Sequence, residues 1–343
     1  MRACEDGVVS NLEPHPAEEE TGATVALALR RDVLPGREVA LGKYTVVHRL
    51  LPHTNRRMVG AWCFADHFGP DAILAGPGMQ VPPHPHSGLQ TVTWLVDGEV
   101  LHRDSLGNLA MIRPGQLNLM TAGAGIAHAE VSPDGHGPSL HGLQLWIALP
   151  ADVAHGAPDF EHHPDLPSRG YSGAYVTVVI GALDGLESPA RAYSPIVGAD
   201  VRLEADSSTT LRLRTDWEYA ILALAGDATA DGVSVTPGNL VYLGDGRSEL
   251  AIGTQHGARL FLLGGEPFAD ELVMWWNFVG RSHEEIVAAR GAWMAGASIA
   301  GGSDDSDRFG VVAGYDGPAL PAPDMPTTRL KPRDRHGRPM PDA

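Results

Sequence analysis

The stretch VPPHPHSGLQTVTWLVDGEVLHRDSLGNLAMIRPGQLNLMTAGAGIAHAE, residues 81–130, decides how this chain is read. It carries two short clusters, His84-Pro85-His86 and His128-Ala129-Glu130. Side chains at i and i+2 of an extended strand point to the same face. One strand can therefore present both imidazoles of the first cluster to a single ion, and a second strand offers His128 and Glu130 in the same way. Three neutral nitrogens and one carboxylate oxygen suit one divalent transition metal and leave coordination positions open for water or substrate. An isolated histidine is more often a surface or loop residue than a ligand. Two paired clusters are harder to obtain from packing alone, separated as they are by a hairpin-rich stretch with Gly88, Gly98, Gly107, Gly115, Gly123 and Gly125. Pro82, Pro83 and Pro85 push the residues before them towards extended geometry. Pro85 lacks an N–H and belongs on an edge or irregular strand, so the first cluster is expected at the rim of a barrel.

Outward from this stretch the chain reads as strands. Lys43–Leu51 (KYTVVHRLL) and Leu95–Leu101 are short β-branched and apolar runs bounded by Pro, Gly or Asn, and no long helical period precedes residue 150. In GAWCFADHFGP, residues 60–70, Phe64 and Phe68 are expected to pack under the barrel. A weak internal repeat is visible: WLVDGEV then IRPGQLNLM in the first half, ILALAGDA then VTPGNLVYL in the second. Each places a Pro-Gly turn, Pro114-Gly115 or Pro237-Gly238, ahead of an alternating strand. Two similar jelly rolls in tandem follow from this. The histidine clusters are not repeated, so the second barrel is expected to be metal-free and to pack against and partly close the first. After it, Ser282 and Glu285 form an S-x-x-E capping box ahead of the apolar stripe Ile286, Ala289 and Trp293, which reads as a helix with a core-facing side.

The expected division is a disordered acidic tail over 1–24, a metal-binding barrel over 25–150, a metal-free barrel over 151–300 and a Pro/Gly-rich tail over 301–343. Phe309, Val311, Val312 and Tyr315 give part of that last arm the means to pack on a barrel. With 41 glycines and 27 prolines among 343 residues, the composition fits many short strands joined by turns. A formal net charge of −17 repels phosphate backbones and argues against direct nucleic-acid binding. Cys4 and Cys63 are too few and too far apart for a disulfide framework. No apolar run is long enough to cross a bilayer, and acidic residues stand where a secretory leader would be apolar. A cytoplasmic protein with no membrane partner is expected.

The segments PPHPHSGLQTVTWLVDGEVLHRDSLGN, PGQLNLMTAGAGIAHAE and HGLQLWIALP, with DHFGP upstream, resemble the N-terminal domain of the pirin family in the cupin superfamily. GGEPF followed by WWNFVGRSHEEI resembles the pirin C-terminal domain. The resemblance spans roughly residues 40 to 300. It implies an all-β bicupin, two tandem cupin-type jelly-roll barrels with one C-terminal helix and extended arms. It also implies one mononuclear metal, usually iron as Fe(II), in the N-terminal barrel, with the family's ligands falling on His84, His86, His128 and Glu130. Two departures from the wider cupin pattern stand out. The first cupin motif is matched from Gly78 through His86, but Gln90 occupies its glutamate position, and Gln90 is expected to hydrogen-bond beside the ligands. Thr121-Ala122-Gly123 also stands where other cupins have P-x-G.

Some pirins resemble quercetin 2,3-dioxygenases in activity. That resemblance implies a small aromatic or enolic substrate opened with O2, with Glu130 as general base for the substrate hydroxyl as well as ligand. Other pirins are regarded as regulators, in which the oxidation state of the metal tunes binding to a protein partner; a metal binder without catalysis is the third reading. His102, Asp104 and Ser105 follow the first cluster, and His141, Gln144 and Trp146 follow the second. For His102 and His141 a structural role and a role beside the ligands stand level. Asp104 reads equally as a turn cap, while Trp146, Met111 and Met120 read as packing residues.

Overall fold

The computed structural model describes residue 29 and residues 31–41, 45–300 and 307–336. The acidic stretch 1–24 and the expected start of the first barrel at residue 25 lie outside the described residues. Twelve strands lead to and through the first barrel: β1 (Asp32–Pro35), β2 (Arg37–Leu41), β3 (Thr45–Leu51), β4 (Trp62–Ala72), β5 (Gln80–His86), β6 (Leu89–Asp97), β7 (Val100–Asp104), β8 (Leu109–Ile112), β9 (Leu117–Thr121), β10 (Ile126–Val131), β11 (Ser139–Ala148) and β12 (Asp159–His163). All pairings among them are antiparallel. Eleven of them, β2 to β12, form two sheets, a four-stranded one in the order β5-β10-β7-β8 and a seven-stranded one in the order β12-β9-β6-β11-β4-β3-β2. The expected run Leu95–Leu101 is two strands, because Asp97 and Gly98 turn the chain between β6 and β7, with the Gly98 N–H donating to Asp97 Oδ1 at 2.9 Å.

The proline-bearing strand β5 is at the edge of its sheet and pairs only with β10. An edge is where a strand with three prolines costs fewest ladder bonds. Gly115 and Gly238 both turn at positive φ, +87° and +85°, and each leads into a buried strand, so the sequence repeat marks equivalent turns, though each joins strands that do not pair with each other.

The second barrel is built on the long pair Ile196–Arg212 and Glu249–Gly265, flanked by Ala174–Leu183 and Glu218–Ala225. β1 does not stay with the first barrel; it pairs with Asn239–Gly244 of the second. One apolar cluster joins the two bodies, with Trp62, Trp94, Leu143 and Leu145 meeting Ile180, Leu222, Phe261 and Leu263. Polar contacts cross the same boundary. The Trp62 indole N–H faces Val197 O and Gly264 O at 3.1 and 3.3 Å, and that of Trp94 donates to Asp200 at 2.9 Å. Glu218 accepts from the Gly60 N–H at 2.7 Å and the Tyr242 hydroxyl at 2.6 Å.

Beyond the second barrel come a hairpin, Val273–Trp275 with Phe278–Gly280, and the helix α1 (His283–Ala295). Ser282 caps α1 by accepting from the Glu285 N–H, while Glu285 reaches back one residue further than in a standard capping box, to the Arg281 N–H. The buried stripe is Ile286, Ala289 and Trp293. It packs with Phe309 and Val312 of the C-terminal arm onto Ala127 and Ala129. Those alanines are the outward face of β10, so the inward face of the same strand carries His128 and Glu130. No helix among the described residues is long and apolar enough to cross a membrane.

Candidate metal centre

His84 and His128 sit directly opposite each other in the β5–β10 pairing. Their ring centroids are 4.4 Å apart, and His86 lies 5.0 Å from each. One ligand nitrogen of each of the three falls within 4.8 Å of the others. All three rings are buried.

The second nitrogen of each ring says which atom is available. His84 Nδ1 is 2.8 Å from Pro82 O, and His86 Nδ1 is 3.2 Å from Asn277 O. A carbonyl accepts only, so both Nδ1 atoms carry the proton and both Nε2 atoms keep a lone pair. His128 Nε2 is buried and has no hydrogen-bond partner. Three buried, neutral imidazoles turned together with an orphaned nitrogen among them fit a divalent transition metal. Burial supports the neutral form. It lowers the His84 pKa to about 4 and takes His86 and His128 well below the usual imidazole value, with the neighbouring histidines adding to the effect.

Glu130 is buried beside these rings. It groups with His102 and His128 rather than with all three histidines of the first set. A register shift between His128 and Glu130 sets Glu130 opposite Val81 and, on its other side, His102. The Thr93 hydroxyl lies 2.8 Å from Glu130 Oε1 and 3.0 Å from Gln144 Oε1. Burial raises the Glu130 pKa, against the opposing effects of His102 and Thr93.

His102, left open between two roles by its sequence, adjoins the centre: its Nδ1 is 3.4 Å from His128 Nδ1 and its Nε2 is 3.3 Å from Asp104 Oδ2. Asp104 is also the turn cap expected, accepting from the N–H groups of Leu106 and Asn108. Burial works against its carboxylate, but hydrogen bonds from His102 and Asn108 outweigh that and hold its pKa below the usual value. His141 faces His67 instead, Nε2 to Nε2 at 2.8 Å, away from the centre. Gln90 donates to Thr121 Oγ1 and Arg191 O.

His84 and His86 open onto a cavity of about 370 Å³ that also meets Glu130 and Gln144. Its walls contain residues that patterning assigned to the core. Phe64 and Trp146 stack face to face at 4.0 Å and 12°, and Trp146 meets His86 edge-on at 5.0 Å. Arg49 lies over Phe64 at 4.5 Å and pairs with Asp66 through two hydrogen bonds of 2.8 Å. Trp276, Asn277 and Leu320 complete the lining from the far end of the chain. No local signal marks these residues as pocket walls, because an aromatic residue in a strand patterns alike whether it meets a core or a cavity.

The Phe278–Gly280 strand docks where β5 ends. The Val279 N–H donates to Ser87 O at 3.0 Å, and a Cβ on Gly88, at φ +73°, would stand 2.1 Å from Val279 O. Only glycine allows that approach.

Two family models match: one described as pirin over residues 44–147, the other as the pirin C-terminal cupin domain over residues 198–299. A Pseudomonas aeruginosa relative, PA1205, provisionally named a quercetin 2,3-dioxygenase, is 48% identical over 291 residues, covering 84% of this chain and 89% of that protein. A pirin-like protein of Caulobacter vibrioides is 36% identical over 77% of this chain and 93% of its own length. The crystal structure of a quercetin 2,3-dioxygenase from Acinetobacter baumannii superposes with a TM-score of 0.81 at 42% identity, covering 88% of this chain and 97% of that one.

Proposed function

The chain belongs to the pirin family, and from that premise we propose that it is a quercetinase-like dioxygenase acting on small enolic or phenolic aromatics. The observation that carries this reading is the convergence of three buried, neutral imidazoles, two of which, His84 and His86, line an aromatic-walled cavity.

We assign His84, His86 and His128 to one metal ion, Fe(II), with Glu130 as the fourth ligand. Bound there, the ion supplies Lewis acidity towards a substrate oxygen and a redox partner for dioxygen. The chain's own residues do the rest. Pro82 O and Asn277 O hold His84 and His86 in the tautomer whose Nε2 is free. Phe64 and Trp146 offer a flat apolar wall for an aromatic ring. Glu130, its pKa raised by burial, accepts the proton of the substrate hydroxyl at its carboxylate oxygen, and the Thr93 hydroxyl positions that oxygen. A reducing, cytoplasmic setting is part of the proposal, in keeping with the free, buried Cys63.

The test is anaerobic reconstitution with Fe(II), then oxygen uptake with quercetin and a panel of enols and catechols, with His84→Ala and Glu130→Ala as controls. Uptake that needs substrate and vanishes in both variants is the expected result. Stoichiometric iron without uptake above the variants overturns the enzyme and leaves the redox-regulated protein partner as the reading to pursue.

A further inference from the structure

The hairpin over the metal centre turns on two residues, Trp276 and Asn277. Trp276 has φ +51°. Glycine and asparagine enter that left-handed region readily, whereas a bulky side chain does so only under strain. Such strain persists where the surroundings hold it, and often where a site uses it. The backbone of the turn does have a use, since the Asn277 carbonyl receives the His86 Nδ1–H. Glycine at 276 would serve that carbonyl equally well, so the reason for a tryptophan lies in its ring.

The ring is half-buried, meets Phe278 edge-on at 5.4 Å and lines the same cavity as Phe64 and Trp146. Leu320 of the arm lines it too, held by its N–H donating to Pro83 O at 2.8 Å. The cavity thus has an aromatic wall from the first barrel and an aromatic cover from beyond the second. A volume of about 370 Å³ bounded in this way suits a flat molecule of two or three rings better than a single ring, which would leave one face unmet.

We infer that Trp276 is a specificity-determining residue, stacking on planar, multi-ring phenolic substrates and selecting them over single-ring catechols. The inference rests on the dioxygenase-like reading for the polar end of the substrate, and on Trp276 for the rest.

Trp276→Asn separates stacking from structure, because asparagine suits the left-handed turn and so preserves the Asn277–His86 contact. The full-length protein is loaded with Zn(II), which permits no turnover, and quercetin and catechol are titrated in by calorimetry. The variant is expected to hold as much zinc as the parent and to melt no lower. It should bind quercetin about tenfold more weakly, with catechol little changed, and Trp276→Phe should recover most of the loss. Equal quercetin binding by Trp276→Asn and the parent overturns the inference and leaves the dioxygenase reading standing. A lower melting temperature with unchanged selectivity also overturns it, since that is the signature of a packing residue. Failure of the parent to bind either compound removes the reading and the inference together.

Discussion

His102 and His128 face each other through their Nδ1 atoms, 3.4 Å apart, and this contact decides which nitrogen of His128 is free. The Asp104 carboxylate, 3.3 Å from His102 Nε2, keeps the proton on that nitrogen. His102 Nδ1 is then a lone pair that accepts the His128 Nδ1–H, and His128 Nε2 is left bare towards His84 and His86. Phe160 stacks on the His102 ring at 4.5 Å and 17° and holds its plane.

Asp104→Asn should therefore weaken metal binding without touching a ligand. The amide keeps an acceptor for the Leu106 and Asn108 N–H groups but can turn its NH₂ towards His102, reversing both tautomers. A loss of about 10–100-fold in metal affinity is expected. Competition with a chromophoric chelator measures it; unchanged affinity would refute the relay.

Metal binding should stabilise the fold, since the unfolded chain has no assembled site. At free metal about 100 times the dissociation constant, the gain is about 2.7 kcal/mol. His84→Ala and His128→Ala should abolish the rise in melting temperature on adding metal. Glu130→Gln should reduce that rise, and an undiminished rise would remove Glu130 from the ligand set.

The metal-free protein should lose stability on acidification. The His84 pKa lies at about 4 and that of His67 at about 3, both chiefly because of burial, while an unfolded imidazole titrates near 6.5. Below pH 6.5 the unfolded state therefore binds more protons, and stability falls with pH down to those folded values, by up to about 1.36 kcal/mol per unit for each histidine. Glu130, raised by burial, acts in the opposite sense above 4.5 but is outnumbered. Urea midpoints in chelator at pH 7.5 and pH 5.5 test this; a midpoint no lower at pH 5.5 contradicts it.

Glu218→Ala should destabilise the junction between the barrels. Its carboxylate is 2% exposed, serves Gly60 and Tyr242, and lies 3.6 Å from Arg56, which stacks over Tyr242 at 3.7 Å. Removing it strands buried partners on both sides, at a cost of about 3–5 kcal/mol. Equilibrium urea unfolding measures the loss.

Much of the site was legible because strand periodicity is local. His84, Pro85 and His86 need no tertiary information to put both imidazoles on one face, and the prolines alone call for an edge strand. Ser282, Glu285 and the stripe ending at Trp293 are likewise set within a few turns of one helix. Leu95–Leu101 misled because its β-branched and apolar residues continue across the Asp97-Gly98 turn that divides it.

Alternation and turn chemistry act over a few residues, and they suffice to bring the paired histidines together on neighbouring strands of an all-β, two-barrel protein. Tertiary structure alone decided that Glu130 would group with His102. It also decided that Asn277 would orient a histidine 191 positions earlier and that Phe64, Trp146 and Trp276 would line a cavity rather than a core. The physical reason is that coordination, tautomer and cavity depend on distances between strands remote in the chain, and hydropathy patterning carries no measure of those distances.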